Sequence, residues 1–186
     1  MYYNPKKELI KNVVTMTFIL AIAVVSTYYI YNEFDHSEIV DYSSESLDIT
    51  FKEEKGDEIN ITNVSPVTDS VGLSSKAHTI TIKNNLTEAT KFIIKISDNI
   101  EKIVEDECQE YLIPKEDIKI SIRYSSGQTE IYNLSEIDDE ILVVGKLKPL
   151  DSEKYTIRTW ISNESSLPMG SSLHYHGLIE VEEKSE

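Results

Sequence analysis

At 186 residues, with 33 Asp and Glu against 18 Lys and Arg, the chain carries a formal net charge of −15. A surface of that sign repels nucleic acid and anionic lipid headgroups, and no nucleic-acid partner is expected. Cys108 is the only cysteine, so no internal disulfide can staple the fold and a hydrophobic core has to hold it.

The first feature along the chain is residues 12–32, twenty-one in a row without a charge, centred on Val13-Val14-Thr15-Met16-Thr17-Phe18-Ile19-Leu20-Ala21-Ile22-Ala23-Val24-Val25. As a helix it covers roughly 31 Å, the thickness of a bilayer's hydrocarbon core. Lys6, Lys7 and Lys11 precede it, and Tyr28, Tyr29, Tyr31 and Phe34 follow with Glu33 and Asp35. Positive residues stay inside and aromatic rings sit at the headgroups, which makes 1–11 a cytoplasmic tail and 12–32 a single transmembrane helix. Everything after it is then extracellular, on the outer side of the cell membrane. A cleaved signal peptide is the competing reading, with Ala21-x-Ala23 as its site after the apolar core Val13–Leu20. The apolar run continues well past that site, which favours an uncleaved anchor. A pilin-like helix, processed beside the basic cluster and packed into a filament, would want a glycine that Lys6-Lys7-Glu8 does not supply.

Residues 33–46 are acidic and serine-bearing and read as an extended stem. The remainder, 47–186, suits one extracellular domain with a real core. From Leu47 the dominant period is two. Leu47, Ile49 and Phe51 alternate with polar residues, as do Ile59 and Ile61, Ile80 and Ile82, and Phe92, Ile94 and Ile96. Ile118, Ile120, Ile122 and Tyr124 repeat the pattern, then Tyr155, Ile157 and Ile161, and finally Tyr175, Ile179 and Val181. Such alternation marks strands buried on one side. Residues 129–133 make a further strand, and the unbroken apolar run Ile141–Val144 predicts one covered on both faces. About nine short strands separated by turn signals predict an all-β sandwich.

One segment departs from period two. Ile100, Ile103, Val104, Cys108 and Tyr111 share a helical face, Asp98 and Glu101 resemble a capping box, and Pro114 stops the run. This predicts one short helix over 99–110 that plugs an open end of the sandwich. Cys108 then lies on its apolar side as an inert small hydrophobe.

Candidates for chemistry are few. His174 and His176 flank Tyr175, so strand alternation puts both imidazoles on one face, about 7 Å apart, with Glu180 as the only local third ligand. A metal centre needs more ligands than that, and a surface pair on a strand ordinarily binds nothing. The acidic cluster Glu136, Asp138, Asp139 and Glu140 lacks calcium-loop spacing. No zinc-protease motif, nucleophile elbow or phosphate-cradling loop occurs. The reading is therefore non-catalytic, without a cofactor. Arg158 and Trp160 alternate with Tyr155 and Ile157. They form either a partner-binding anchor or the second covered face of their strand. Uncovered sheet edges offer a further route to a protein partner, or to self-assembly. Five N-x-S/T tripeptides start at Asn60, Asn63, Asn85, Asn133 and Asn163, and the one at Asn63 is followed by proline.

Several phrases carry a family likeness. After the hydrophobic helix come Ser46-Leu47-Asp48-Ile49, the turn Ile61-Thr62-Asn63-Val64-Ser65-Pro66-Val67-Thr68-Asp69 and the strand end Thr81-Ile82-Lys83-Asn84-Asn85. Leu147-Lys148-Pro149 and Tyr155-Thr156-Ile157-Arg158-Thr159-Trp160-Ile161 follow. Over most of residues 12–181 the chain resembles the camelysin/TasA-like surface proteins of low-GC Gram-positive bacteria, and more loosely other Ig-like bacterial surface domains. The resemblance implies an Ig-like sandwich displayed at the cell surface. In that family the hydrophobic segment is usually a cleaved signal, and some members polymerise by lending their first strand to a neighbour. Other members are described as metallopeptidases, which keeps a surface metal-dependent hydrolase as the alternative to a structural or adhesive module. The motifs quoted record sandwich turns, and none supplies zinc ligands.

Overall fold

Residues 15–17, 40–43, 46–53, 55–62, 65–106 and 110–184 are described by a computed structural model, 40–43 as backbone only. The chain divides into two units, Met1–Glu38 and Ile39–Glu186. Of the apolar stretch 12–32 only Thr15–Thr17 are described, and they are helical. The remainder of the expected transmembrane helix lies outside the described residues. Among those described, no helix is long and apolar enough to cross a membrane.

The second unit is an all-β sandwich of two antiparallel sheets. Its strands are β1 (Val40–Ser43), β2 (Leu47–Phe51), β3 (Glu58–Ile61), β4 (His78–Asn84), β5 (Thr90–Asp98), β6 (Ile118–Arg123), β7 (Thr129–Asn133), β8 (Ile141–Leu147), β9 (Ser152–Ile161) and β10 (Tyr175–Glu183). One sheet has the order β1-β2-β4-β9-β6-β7 and the other β3-β10-β5-β8. Two short helices interrupt them, α1 (Asp69–Gly72) and α2 (Ile100–Glu105).

The alternation read from sequence supplies the core. Ile80, Ile82, Ile118, Ile120, Ile122 and Ile157 of the larger sheet are fully buried, and Phe92 and Ile94 of the smaller sheet join the same cluster. The Tyr155 ring meets Phe92 edge-on at 5.9 Å and Tyr124 at 5.8 Å, bridging the layers through aromatic contacts.

Four expectations need correction. Val40–Ser43, read as part of the 33–46 stem, is an edge strand paired with β2 from Val40↔Phe51 to Ser43↔Asp48. An acidic tetrapeptide can do this because an edge strand needs backbone pairing more than apolar side chains. The run Ile141–Val144 is not covered on both faces: β8 is the edge of its sheet, and Val144 is 60% exposed. A register shift between Ile94 and Lys95 lets the adjacent Leu142 and Val143 both be buried there.

The plug helix is shorter than its predicted 99–110, and only Ile103 of α2 is buried while Ile100 and Val104 are exposed. Fewer than two turns present one side chain to the sheet, so the expected apolar face never closes the sandwich. Tyr111 is likewise exposed, and Cys108 lies outside the described residues. The cap is also displaced by one residue. Asp98 still belongs to β5, opposite Gly177, with its carboxylate 2.9 Å from Lys115, so Asn99 Oδ1 accepts from Lys102 N–H at 3.0 Å instead.

Candidate functional site

The edge of β10 on the β3 side leaves backbone groups open beside an apolar cleft between the two sheets. β10 pairs with β5 along Gly177–Glu183 but with β3 only along Tyr175–Leu178. Ile179 N–H donates to Asp57 C=O at 2.8 Å on the β3 side, and Lys184 N–H donates to Lys91 C=O at 3.0 Å on the β5 side. Backbone direction alternates along an antiparallel strand, so the groups of Val181 and Glu183 point with those of Ile179. No strand among the described residues takes them.

A cleft of about 240 Å³ lies beside this edge, lined by Ile49 and Phe51 of β2, by Asp57, and by residues 178–182. Ile179 and Val181 pack with the core, whereas Glu180 and Glu182 lie on the outer face. There the Lys95 ammonium reaches Glu182 at 2.8 Å, and Glu180 accepts from the Ser97 hydroxyl at 2.8 Å. The site therefore offers backbone groups that no strand among the described residues takes, an inner wall of largely buried apolar residues that ends at Glu183, whose carboxylate accepts from the Ser46 hydroxyl, and an acidic outer wall. Sequence reasoning foresaw open edges in general but not this one. The only signal was length, because a four-residue β3 cannot cover a nine-residue β10.

The histidine pair differs from its expected form. The rings of His174 and His176 do share a side, nearly parallel with centroids 6.0 Å apart. His176 is not on the surface, however, being 3% exposed. Its Nδ1 bonds Asn60 Oδ1 at 2.7 Å, and its Nε2, buried and without a hydrogen bond, faces Asp106 Oδ2 at 3.6 Å. Asn60 of β3 and the C-terminal end of α2 cover it, contacts that only the tertiary fold creates. Glu180, the expected third ligand, is bonded to Ser97 instead. Among the described residues no three His, Cys, Asp or Glu side chains gather to hold a metal.

Arg158 and Trp160 do lie on the side of β9 away from Tyr155 and Ile157, and the segment running from Val67 to Lys76 covers that side. Val67 bridges Ser162, Arg158 Nε donates to Ser75 C=O at 3.2 Å, and Lys119 Nζ pairs with Asp69 at 3.0 Å. Gly72 of α1 lies against the indole, and Trp160 is 4% exposed. A side chain so covered is core packing. Arg158 stays half-buried beside it.

Burial also sets a pH response. His176 is pushed below its ordinary 6.5 by burial, with Asp106 opposing and His174 and Lys102 reinforcing the shift. His78 is lowered too, mainly by burial, while its bond to Gly56 C=O at 2.9 Å pulls the other way. A native histidine held neutral below the unfolded value makes the unfolded chain bind more protons in that window. This stabilisation is fully present above 6.5 and is lost as pH falls through the lowered native values. Unfolding free energy should decline as urea titrations are taken from pH 7 to pH 5, with a shallower slope in His176→Gln. Equal slopes in parent and variant would remove His176 from the account.

No protein-family model, curated protein or solved structure matches the chain.

Proposed function

We propose that the chain is a membrane-tethered β-sandwich, Ig-like in kind, that acts at the cell surface as a structural, adhesive or partner-binding module without catalysis. Residues 12–32 serve as its anchor, with the N-terminus cytoplasmic. The observation that carries this reading is the open edge of β10. An extended segment entering beside Val181 and Glu183 gains main-chain hydrogen bonds to an existing sheet and buries side chains against Ile49 and Phe51. The sheet itself needs no rearrangement, because β5 already holds β10 on its other side and β8 in turn holds β5. An acidic surface keeps such a module soluble while its edge stays available.

Two measurements test this. In hydrogen exchange of the isolated full chain, the amides of Val181 and Glu183 should exchange fast while those of Glu180 and Glu182, bonded to β5, are protected. On intact cells, a photo-crosslinking side chain at position 182 should trap a discrete adduct that the same side chain at exposed position 144 does not. Protection of both edge amides, or identical adducts from the two positions, would end the proposal.

A further inference from the structure

We infer that the segment accepted by the β10 edge is an extended strand alternating aliphatic with basic residues, and that it comes from a different protein. The inference rests on the strand-addition reading and adds the chemistry of the occupant. An added strand would present alternate side chains to the two walls of the site. On the inner side it meets Ile49, Phe51, Ile179 and Val181, which suit aliphatic groups, until Glu183, whose carboxylate accepts from the Ser46 hydroxyl, ends that wall in an acid. On the outer side its side chains stand across from Glu180 and Glu182, with Asp57 at the end of the cleft.

These acids are not equivalent. Lys95 lies directly across from Glu180 and reaches over to pair with Glu182, so one ammonium serves both carboxylates, and Glu180 keeps only the Ser97 hydroxyl as its bonded partner. The outer row of β10 therefore carries more acid than base, and Glu180 is the carboxylate left for an incoming Lys or Arg on the open side, since opposite charges across a sheet attract and like charges repel.

The same argument disfavours a second copy. Its first strand reads Val40-Asp41-Tyr42-Ser43, and the segment before it holds Glu33, Asp35 and Glu38. Docked on this edge, it would bring acid against acid. The stretches of this chain that do alternate aliphatic and basic residues are already engaged: Ile118–Arg123 lies between β9 and β7, Ile94-Lys95-Ile96 between β10 and β8, and in Lys146-Leu147-Lys148 at the end of β8 the Leu147 side chain is buried in the core.

The test uses the full chain and two synthetic peptides, acetylated and amidated, with the repeats Ile-Lys-Ile-Lys-Ile and Ile-Glu-Ile-Glu-Ile. The lysine peptide should slow exchange at the amides of Val181 and Glu183 and bind about tenfold tighter than the glutamate peptide at low salt, the sum of a few modest cross-strand charge terms. The preference should shrink as salt is raised. Glu180→Lys, a change at an exposed position, should abolish or invert it. Equal protection by both peptides would overturn the charge rule while leaving strand addition intact. Binding that leaves the two edge amides unprotected would overturn the inference, as would a Glu180→Lys variant with unchanged preference.

Discussion

Asn84→Ala is expected to remove about 3–5 kcal/mol of stability, a large share of the 5–15 kcal/mol typical of a domain. Asn84 ends β4 and is fully buried. Its Nδ2 donates to Glu88 C=O at 2.7 Å and to Lys148 C=O at 3.0 Å. Its Oδ1 accepts from Leu86 N–H at 2.9 Å and from the Thr90 hydroxyl at 3.1 Å. One amide therefore satisfies the turn between β4 and β5 and the turn between β8 and β9. Its own backbone N–H adds a bond to Asp151 C=O at 2.9 Å. Truncation removes the partner of two carbonyls and two donors at once, and each group left unsatisfied costs roughly 1–3 kcal/mol, not additively and less where the exposed turn residues let water in. Thr90→Val removes a single partner and should cost only about 1 kcal/mol. Urea unfolding followed by the fluorescence of Trp160, the only tryptophan, measures both. A loss for Asn84→Ala no larger than that for Thr90→Val would show that the turns are held by something else.

What was legible in the sequence follows from which forces are local. The isoleucines of β4 and β6 announce their strands because burial of one face imposes period two on the chain itself. β1 announces nothing, since its place at the edge rests on backbone bonds to β2 that any residues can make. The helical face of Ile100, Ile103 and Val104 is present in the sequence, but how much of it reaches the sheet depends on where α2 ends. His176 looked like a surface residue for the same reason. Its cover comes from Asn60, more than a hundred positions earlier, and no local pattern links the two. Asn84 stands in a phrase quoted as a family likeness, yet its four partners are spread over turns that only the fold brings together. The open edge of β10 is the extreme case, because it depends on the register of β3.

For Trp160 the sequence left a partner anchor and a covered second face of its strand as alternatives, and the burial of the indole favours the second in a way that can be measured. A Cβ on Gly72 would lie 2.2 Å from the indole Cδ2, so α1 approaches β9 as closely as it does only because that position has no side chain. Gly72→Ala should cost about 1–3 kcal/mol as overpacking, or shift α1 and weaken the Lys119–Asp69 ion pair. Trp160→Ala should cost about 3–5 kcal/mol by leaving a cavity under α1. Trp160→Phe should cost much less than Trp160→Ala, because the indole N–H is buried without a hydrogen-bond partner and its removal recovers desolvation. The pair should also be strongly non-additive: with the smaller ring present, Gly72→Ala finds room and its cost falls. Circular dichroism in urea gives the four free energies of this cycle without relying on the tryptophan. Additive losses for Gly72→Ala and Trp160→Phe would mean that the two side chains do not share this contact. A Trp160→Ala chain as stable as its parent would overturn the packing role and leave the partner-binding alternative.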